Sequence, residues 1–342
     1  MRLYVVGGQQ RGERPLSGGL DWYEFQKGVI AEVDTGTGVG EVRVAYVTPP
    51  EACVDEDPVV LFKSATLIGD RFYVCTQTEV LIYEVPSFDR VGYVSIPLFN
   101  DVHHVRPTRD GTLLVANSGL DMVVEVTLEG RVVRELSVLD EDPWSRFSRT
   151  VDYRKVRTTK PHHAHPNYVF CLGDEIWATR FEQRDAVSLT RPGRRIDIGH
   201  ERVHDGVVHA GRIYFTTVDG KVVEIDAQTL VAERVLDLAA AAGSDTLLGW
   251  ARGVYVDSNG LWVGFSRIRP TKFRENVAWA LRGFRHVRPT HIAHFDPDAG
   301  AIDNWIDLEP TGLTAIFSVH GVPEPSARTM GAAKEKLLQQ PS

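Results

Sequence analysis

Cysteine is scarce in this chain: Cys53, Cys75 and Cys171 are the only three among 342 residues. They form neither a disulfide framework nor a metal pair. Cys75 and Cys171 fall in apolar runs, where a thiol is a small buried side chain. Long apolar runs are missing too. None approaches the ~20 residues of a membrane span. Before Gly7-Gly8 the chain has only a four-residue apolar run, Leu3–Val6, which is too short for a secretory signal. Positive charge is in deficit, with 38 Lys and Arg against 46 Asp and Glu and a net charge of −8. An acidic surface repels nucleic acid and anionic lipid, so neither is an expected partner. The expectation is a cytoplasmic protein kept in a reducing environment. Common catalytic signatures are also lacking. There is no nucleophile elbow and no phosphate loop, and Gly7-Gly8 and Gly18-Gly19 lack the context of a dinucleotide fold.

What the chain does have is a repeat. Asn100–Leu136 divides into four short apolar runs, Val102–Arg106, Thr112–Ala116, Met122–Thr127 and Val132–Leu136. Arg109-Asp110-Gly111, Asn117-Ser118-Gly119 and Glu129-Gly130 separate them, and such residues supply tight turns at low cost. Four strands of about five residues make an antiparallel meander. The unit recurs at roughly 40 residues, the period of propeller blades. Further copies span Leu61–Ile96, Tyr168–Ile198, Val203–Leu236 and Ala251–Leu308. The ends complement each other. Ala315–Val322 reads as a lone first strand, whereas Leu3–Gly7, Val29–Asp34 and Val42–Thr48 read as three strands without one. Joined, they close a ring and remove the open edge of the sheet. The predicted fold is an all-β, six-bladed β-propeller over residues 1–324, followed by a polar tail over 325–342. A β-sandwich also shows evenly spaced strands, but the complementary ends favour the ring.

The stretch VHHVRPTRDGTLLVANSG, residues 102–119, resembles the blade opening of the NHL and SMP-30 superfamily of six-bladed propellers, and ARGVYVDSNGLWVG, residues 251–264, repeats it. A nearer resemblance is to bacterial conserved-hypothetical propellers that carry similar stretches. These likenesses imply the fold and leave the reaction open. The calcium-type lactonases of the SMP-30 group use carboxylate and Asn ligands, and the His-rich set here departs from that pattern. Propeller lyases with three blade-derived His and a metal resemble it more. Carotenoid-cleaving oxygenases, with four His around iron, have seven blades and longer chains.

In a blade the innermost strand runs from one face of the ring to the other. Gly8–Gly28, Asp140–Pro166 and Arg267–Pro289 all fall in connections to one face, which places the site at that mouth of the central channel. Two of these segments are basic. Arg157 in one, and Arg269, Arg274 and Arg282 in the other, are the expected contacts to a small anionic substrate. Phe273, Val277, Leu281 and Phe284 fall at helical spacing, so the second segment predicts an amphipathic lid.

The histidines cluster at strand openings. His103 and His104 open the third blade, His165 precedes the fourth with His162 and His163, His204 opens the fifth and His320 the closing one. Neutral imidazoles from several openings make a site for a divalent metal, Fe, Zn or Mn. Only one of His103 and His104 can face inward, because strand neighbours point oppositely. A His at such an opening also serves to hydrogen-bond the next blade. Arg252 takes the matching place in the sixth blade, Lys63 or Ser64 in the second, and Asp101, Asp205, Tyr168 and Arg252 are the acid–base candidates, with Arg252 also expected to clamp a substrate carboxylate. His209, His286, His291 and His294 read as structural. The expected function is a metal-dependent lyase or hydrolase. The alternatives are an Fe(II)-dependent oxygenase with a four-His site, or a non-catalytic propeller that binds a ligand or protein.

Overall fold

The structure, a computed structural model, describes residues 1–11, 25–267 and 286–323. Six four-stranded antiparallel sheets follow one another around a ring. The second blade comprises Ala65–Ile68, Arg71–Cys75, Val80–Glu84 and Asp89–Val94. The third comprises Val102–Pro107, Leu113–Asn117, Met122–Val126 and Val132–Ser137. The fourth, fifth and sixth begin at Val169–Leu172, Val203–His209 and Trp250–Val256. Ala315–Gly321 pairs antiparallel with Arg2–Gln10 and becomes the inner strand of the blade continued by Phe25–Asp34 and Gly40–Tyr46. The chain ends therefore close the ring as their complementary patterns predict. Among the described residues, no helix is long and apolar enough to cross a membrane. The helical pattern from Phe273 to Phe284 and the tail lie outside the described residues.

The inner and middle strands of the blades are largely buried on both faces, which is why many of them read as apolar runs, whereas outer strands such as Val132–Ser137 and Ala232–Asp237 are mostly exposed. Leu3 and Val5 pack against Trp262, Ile292 and Ile306 of the sixth blade. Their neighbours Tyr4 and Val6 turn the other way, onto Phe62, Phe72 and Leu81 of the second. Period-two alternation thus supplies two interblade cores from one strand. A buried Glu79 ties two blades further by accepting hydrogen bonds from Tyr46, Thr48, Thr76 and Tyr93.

The inner strands share a feature that positions the site. Pairing skips a residue between Val102 and His104, between Val203 and Asp205, and between Ile316 and Ser318, while two residues are skipped between Ala251 and Val254. Bulges re-aim a side chain. The skipped residues are His103, His204, Phe317 and the pair Arg252-Gly253. At the closing bulge the backbones approach so closely that a Cβ on Gly7 would stand 1.9 Å from the Ala315 carbonyl oxygen, so only glycine fits.

Candidate metal centre and the two ends of the channel

Asp101, His103 and His165 bring one ligand atom each to within 4.8 Å of one another. Asp101 and His103 flank Val102 at the opening of the third blade, and His165 arrives on the connection to the fourth. His103 Nδ1 lies 2.8 Å from the Asp101 backbone oxygen. A carbonyl only accepts, so Nδ1 carries the proton and the Nε2 lone pair is left for a ligand. His162 stacks on His165 with ring centroids 4.8 Å apart, and their Nδ1 atoms meet at 2.5 Å. Both of these nitrogens lie 3.9 Å from Asp101 Oδ2. The Lys63 ammonium pairs with Asp101 Oδ1 and stands 3.4 Å from His103 Nδ1. A cavity of about 80 Å³ opens above these groups, lined by Asp101, His103, His165, Arg157 and Lys160 among others.

The loop that carries His165 is held by one buried carboxylate. Asp121 accepts from the backbone N–H groups of His163, Ala164 and His165 at 2.7–3.0 Å, and from Arg146 at 3.0 Å. His165 adopts φ +56°, a left-handed conformation that a histidine rarely takes. Three N–H bonds to a single carboxylate supply the constraint that keeps it there. Asp101 and Asp121 are left-handed as well, at φ +50° and +49°. Gly119 leaves room for the Asn100 side chain, which would otherwise lie 2.2 Å from a Cβ. Asn100 in turn donates to the Tyr153 and Val156 carbonyls and fastens the basic connection to the blade.

Burial holds His103, His165 and His204 well below the usual imidazole range, with Lys63, His103 and Arg252 respectively adding to it. All three are therefore neutral, the form that binds metal. Burial, the largest single influence, would raise the Asp101 carboxyl, but Lys63 and the surrounding His103, His165 and His162 together outweigh it and hold Asp101 well below its ordinary value. Burial also lowers Lys63, against the pull of Asp101. The donor set is two neutral imidazoles and one ionised carboxylate.

The other residues singled out from sequence fall in several places. The His204 ring is 5.8 Å from that of His103 and edge-on to Phe317 at 5.7 Å. Its buried Nδ1 has no partner among the described residues. The Arg252 guanidinium lies 4.4 Å over the Phe317 ring and 5.3 Å from that of Trp250. His104 points away from the cluster. Its Nδ1 accepts from the Val169 N–H at 3.3 Å, its Nε2 meets Thr66 Oγ1 at 3.2 Å, and Tyr168 packs against it. His103, as the bulged residue, is the one of the pair that meets the other histidines.

His320 is far along its strand. It is the sixth residue of Ala315–Gly321, opposite Tyr4, with Nε2 3.0 Å from Ser318 Oγ and its ring on Phe72. Phe317 holds the bulge position of this strand, and His320, expected at the opening of the closing blade, lies three residues further along. The ligand atoms of His104, His204 and His320 lie outside the Asp101–His103–His165 group. Asp205, Tyr168 and His320 line a second cavity, of about 230 Å³. Ser64 Oγ donates to both Asp205 carboxylate oxygens, at 3.2 and 3.3 Å.

The basic connection is largely neutralised. Arg146 pairs with Asp121, Arg149 with Glu135, Arg154 with Asp152 and Lys155 with Asp55. Arg157 borders the first cavity and donates to the Glu56 carbonyl at 2.8 Å. Arg269, Arg274 and Arg282 lie outside the described residues. His291 and His294 bond Pro289 and Asp303 within their own blade. Two members of the cluster carried little signal in the sequence: His162, one histidine in a run, and Lys63, which is linked to Asp101 only by the neighbouring blade.

No protein-family profile matches the chain, and no curated protein sequence matches it. Among solved structures, a protein of unknown function from Bacteroides caccae superposes with a TM-score of 0.58 at 12% identity, covering 94% of this chain and 99% of that one. Virginiamycin B lyase from Staphylococcus aureus superposes with a TM-score of 0.43 at 13% identity over 69% of each chain. The first likeness is one of fold.

Proposed function

We propose that the protein is a metal-dependent enzyme of lyase or hydrolase type that acts on a small anion at the His103 mouth of the channel. The observation that carries this reading is the convergence of Asp101, His103 and His165. Asp101, His103 and His165 would hold the metal with two imidazoles and a carboxylate, a donor set suited to Zn²⁺, Fe²⁺ or Mn²⁺ that would leave room for a substrate or water. A metal bound there would act as a Lewis acid toward a carbonyl or a water. Arg157 and Lys160, on the cavity wall, would draw in the anion, with Arg269, Arg274 and Arg282 extending the basic rim. Arg252 would hold a substrate carboxylate, and His204 Nδ1, which has no partner among the described residues, would hydrogen-bond it.

One observation favours a second reading. Lys63 already pairs with Asp101, so the carboxylate has a counter-charge without any metal. A propeller that binds a ligand or protein and performs no chemistry would need nothing more. Metal content separates the two. Untagged protein expressed with ample Fe, Zn and Mn is expected to carry about one divalent ion per chain. Asp101→Asn, His103→Ala and His165→Ala should each carry close to none while melting cooperatively. Absence of metal from the parent protein would overturn the enzyme reading and leave the binding propeller.

A further inference from the structure

The second cavity lies at the opposite end of the inner strands from the histidine cluster. Its walls come from residues late in those strands, such as Arg106 of Val102–Pro107, Tyr255 of Trp250–Val256 and His320 of Ala315–Gly321. Arg106 is half-buried there and makes no ion pair or side-chain hydrogen bond among the described residues. Across the same cavity stands the Asp205 carboxyl, 3% exposed. One Asp205 oxygen already accepts from the Gly206 N–H at 2.9 Å, and both accept from Ser64. The remaining lining combines Val207, Val208, Val254 and Val319 with polar side chains such as Thr66 and Ser318.

We infer that this cavity is a second ligand site, one that binds a small carboxylate with a short apolar body, held by the Arg106 guanidinium. A guanidinium presents parallel N–H donors that match a carboxylate's two oxygens, and burial strengthens the pair. A cation half-withdrawn from water without a counter-ion is costly, and a ligand carboxylate removes that cost. The Tyr255 hydroxyl, on the same wall, is a donor for the same group. Asp205 supports the choice of an anion rather than opposing it. Burial pushes its carboxyl up to about 7, so near neutrality it presents a proton as readily as a charge. The volume of about 230 Å³ is below the ~300 Å³ at which drug-sized pockets begin, which limits the ligand to roughly the size of a benzoate.

This inference does not rest on the metal reading, and its test uses a different probe. Benzoate, titrated into the full chain by calorimetry, is expected to bind, and its neutral isostere benzamide is not. Arg106→Gln should weaken benzoate by about tenfold or more. Tyr255→Phe should weaken it less, and Arg149→Ala, whose bond to Glu135 is solvent-exposed, should leave it unchanged. Equal binding of benzamide, undiminished binding to the Arg106 variant, loss of binding in the Arg149 variant, or no binding at ~20 mM benzoate would each overturn the proposal.

Discussion

The two ends of the channel are built from the same strands and treat charge in opposite ways. At the His103 end the ionisable groups meet one another: Lys63 with Asp101, Asp101 with His103, His165 with His162. At the other end Arg106 and Asp205 border one cavity without an ion pair between them among the described residues. The bulges account for the separation. His103 and His104 are sequence neighbours, yet one joins the cluster and the other bonds Val169 and Thr66. The same holds for His204 and Asp205, of which the first faces His103 and the second accepts from Ser64. The pairing shows that a polar residue on an inner strand is assigned to an end by its place relative to the bulge. Residue type does not decide it.

The most damaging way to break the comparison is to remove what both ends share. Truncation after Thr311 deletes Ala315–Gly321, an inner strand with Phe317 at its bulge. It should abolish cooperative thermal unfolding, and native-like melting would refute closure by this strand. Phe317→Ala is the milder form. That ring packs on His204 and under Arg252, and its loss should destabilise the fold by about 3–5 kcal/mol in denaturant titrations.

Acidity sharpens the contrast. Burial raises Asp205 from 3.8 to about 7, so the folded state holds a proton there that the unfolded state releases. That stabilisation is complete below the unfolded value and is lost as pH rises through the folded one. The parent protein should therefore lose stability between about pH 4 and pH 7 through this group, by on the order of a few kcal/mol. Asp205→Asn should remove that slope. Parallel pH–stability curves for the two proteins would show that Asp205 ionises in the fold as freely as in the unfolded chain.

Finer changes test the histidine end alone. Asp121→Ala removes the acceptor for three loop N–H groups. It should weaken metal binding by about 10–100-fold, the range for groups that orient ligands, with His165 itself intact. Lys63→Met should have the opposite sign, because the ammonium competes for Asp101. The smallest effect is expected at Arg149→Ala, whose bond to Glu135 is solvent-exposed. It should change stability by less than about 1 kcal/mol.

The meander was legible because turn residues and strand runs are local: the third-blade strands differ from their sequence limits by one residue at most ends. Ring closure was legible because three strands lacked a fourth and one strand lacked three. His103 and His165 were visible as openings of their blades. The placement of His320 was not, since a bulge leaves no mark in composition. Counting from the start of AIFSVHGV does not reveal that Phe317 is the skipped residue. Lys63 and Asp101 belong to different blades, and only the packing of those blades makes them partners.

By itself, then, the sequence determined the repeat, the strand limits and the joining of the ends, all of which follow from local turn chemistry and period-two burial. Tertiary structure alone decided which buried polar groups share an end of the channel. That choice depends on bulge position and on the meeting of strands some 40 to 140 residues apart, as Lys63 meets Asp101 and Ser64 meets Asp205. A period-two pattern is blind to both, because one extra residue sends every later side chain to the opposite face.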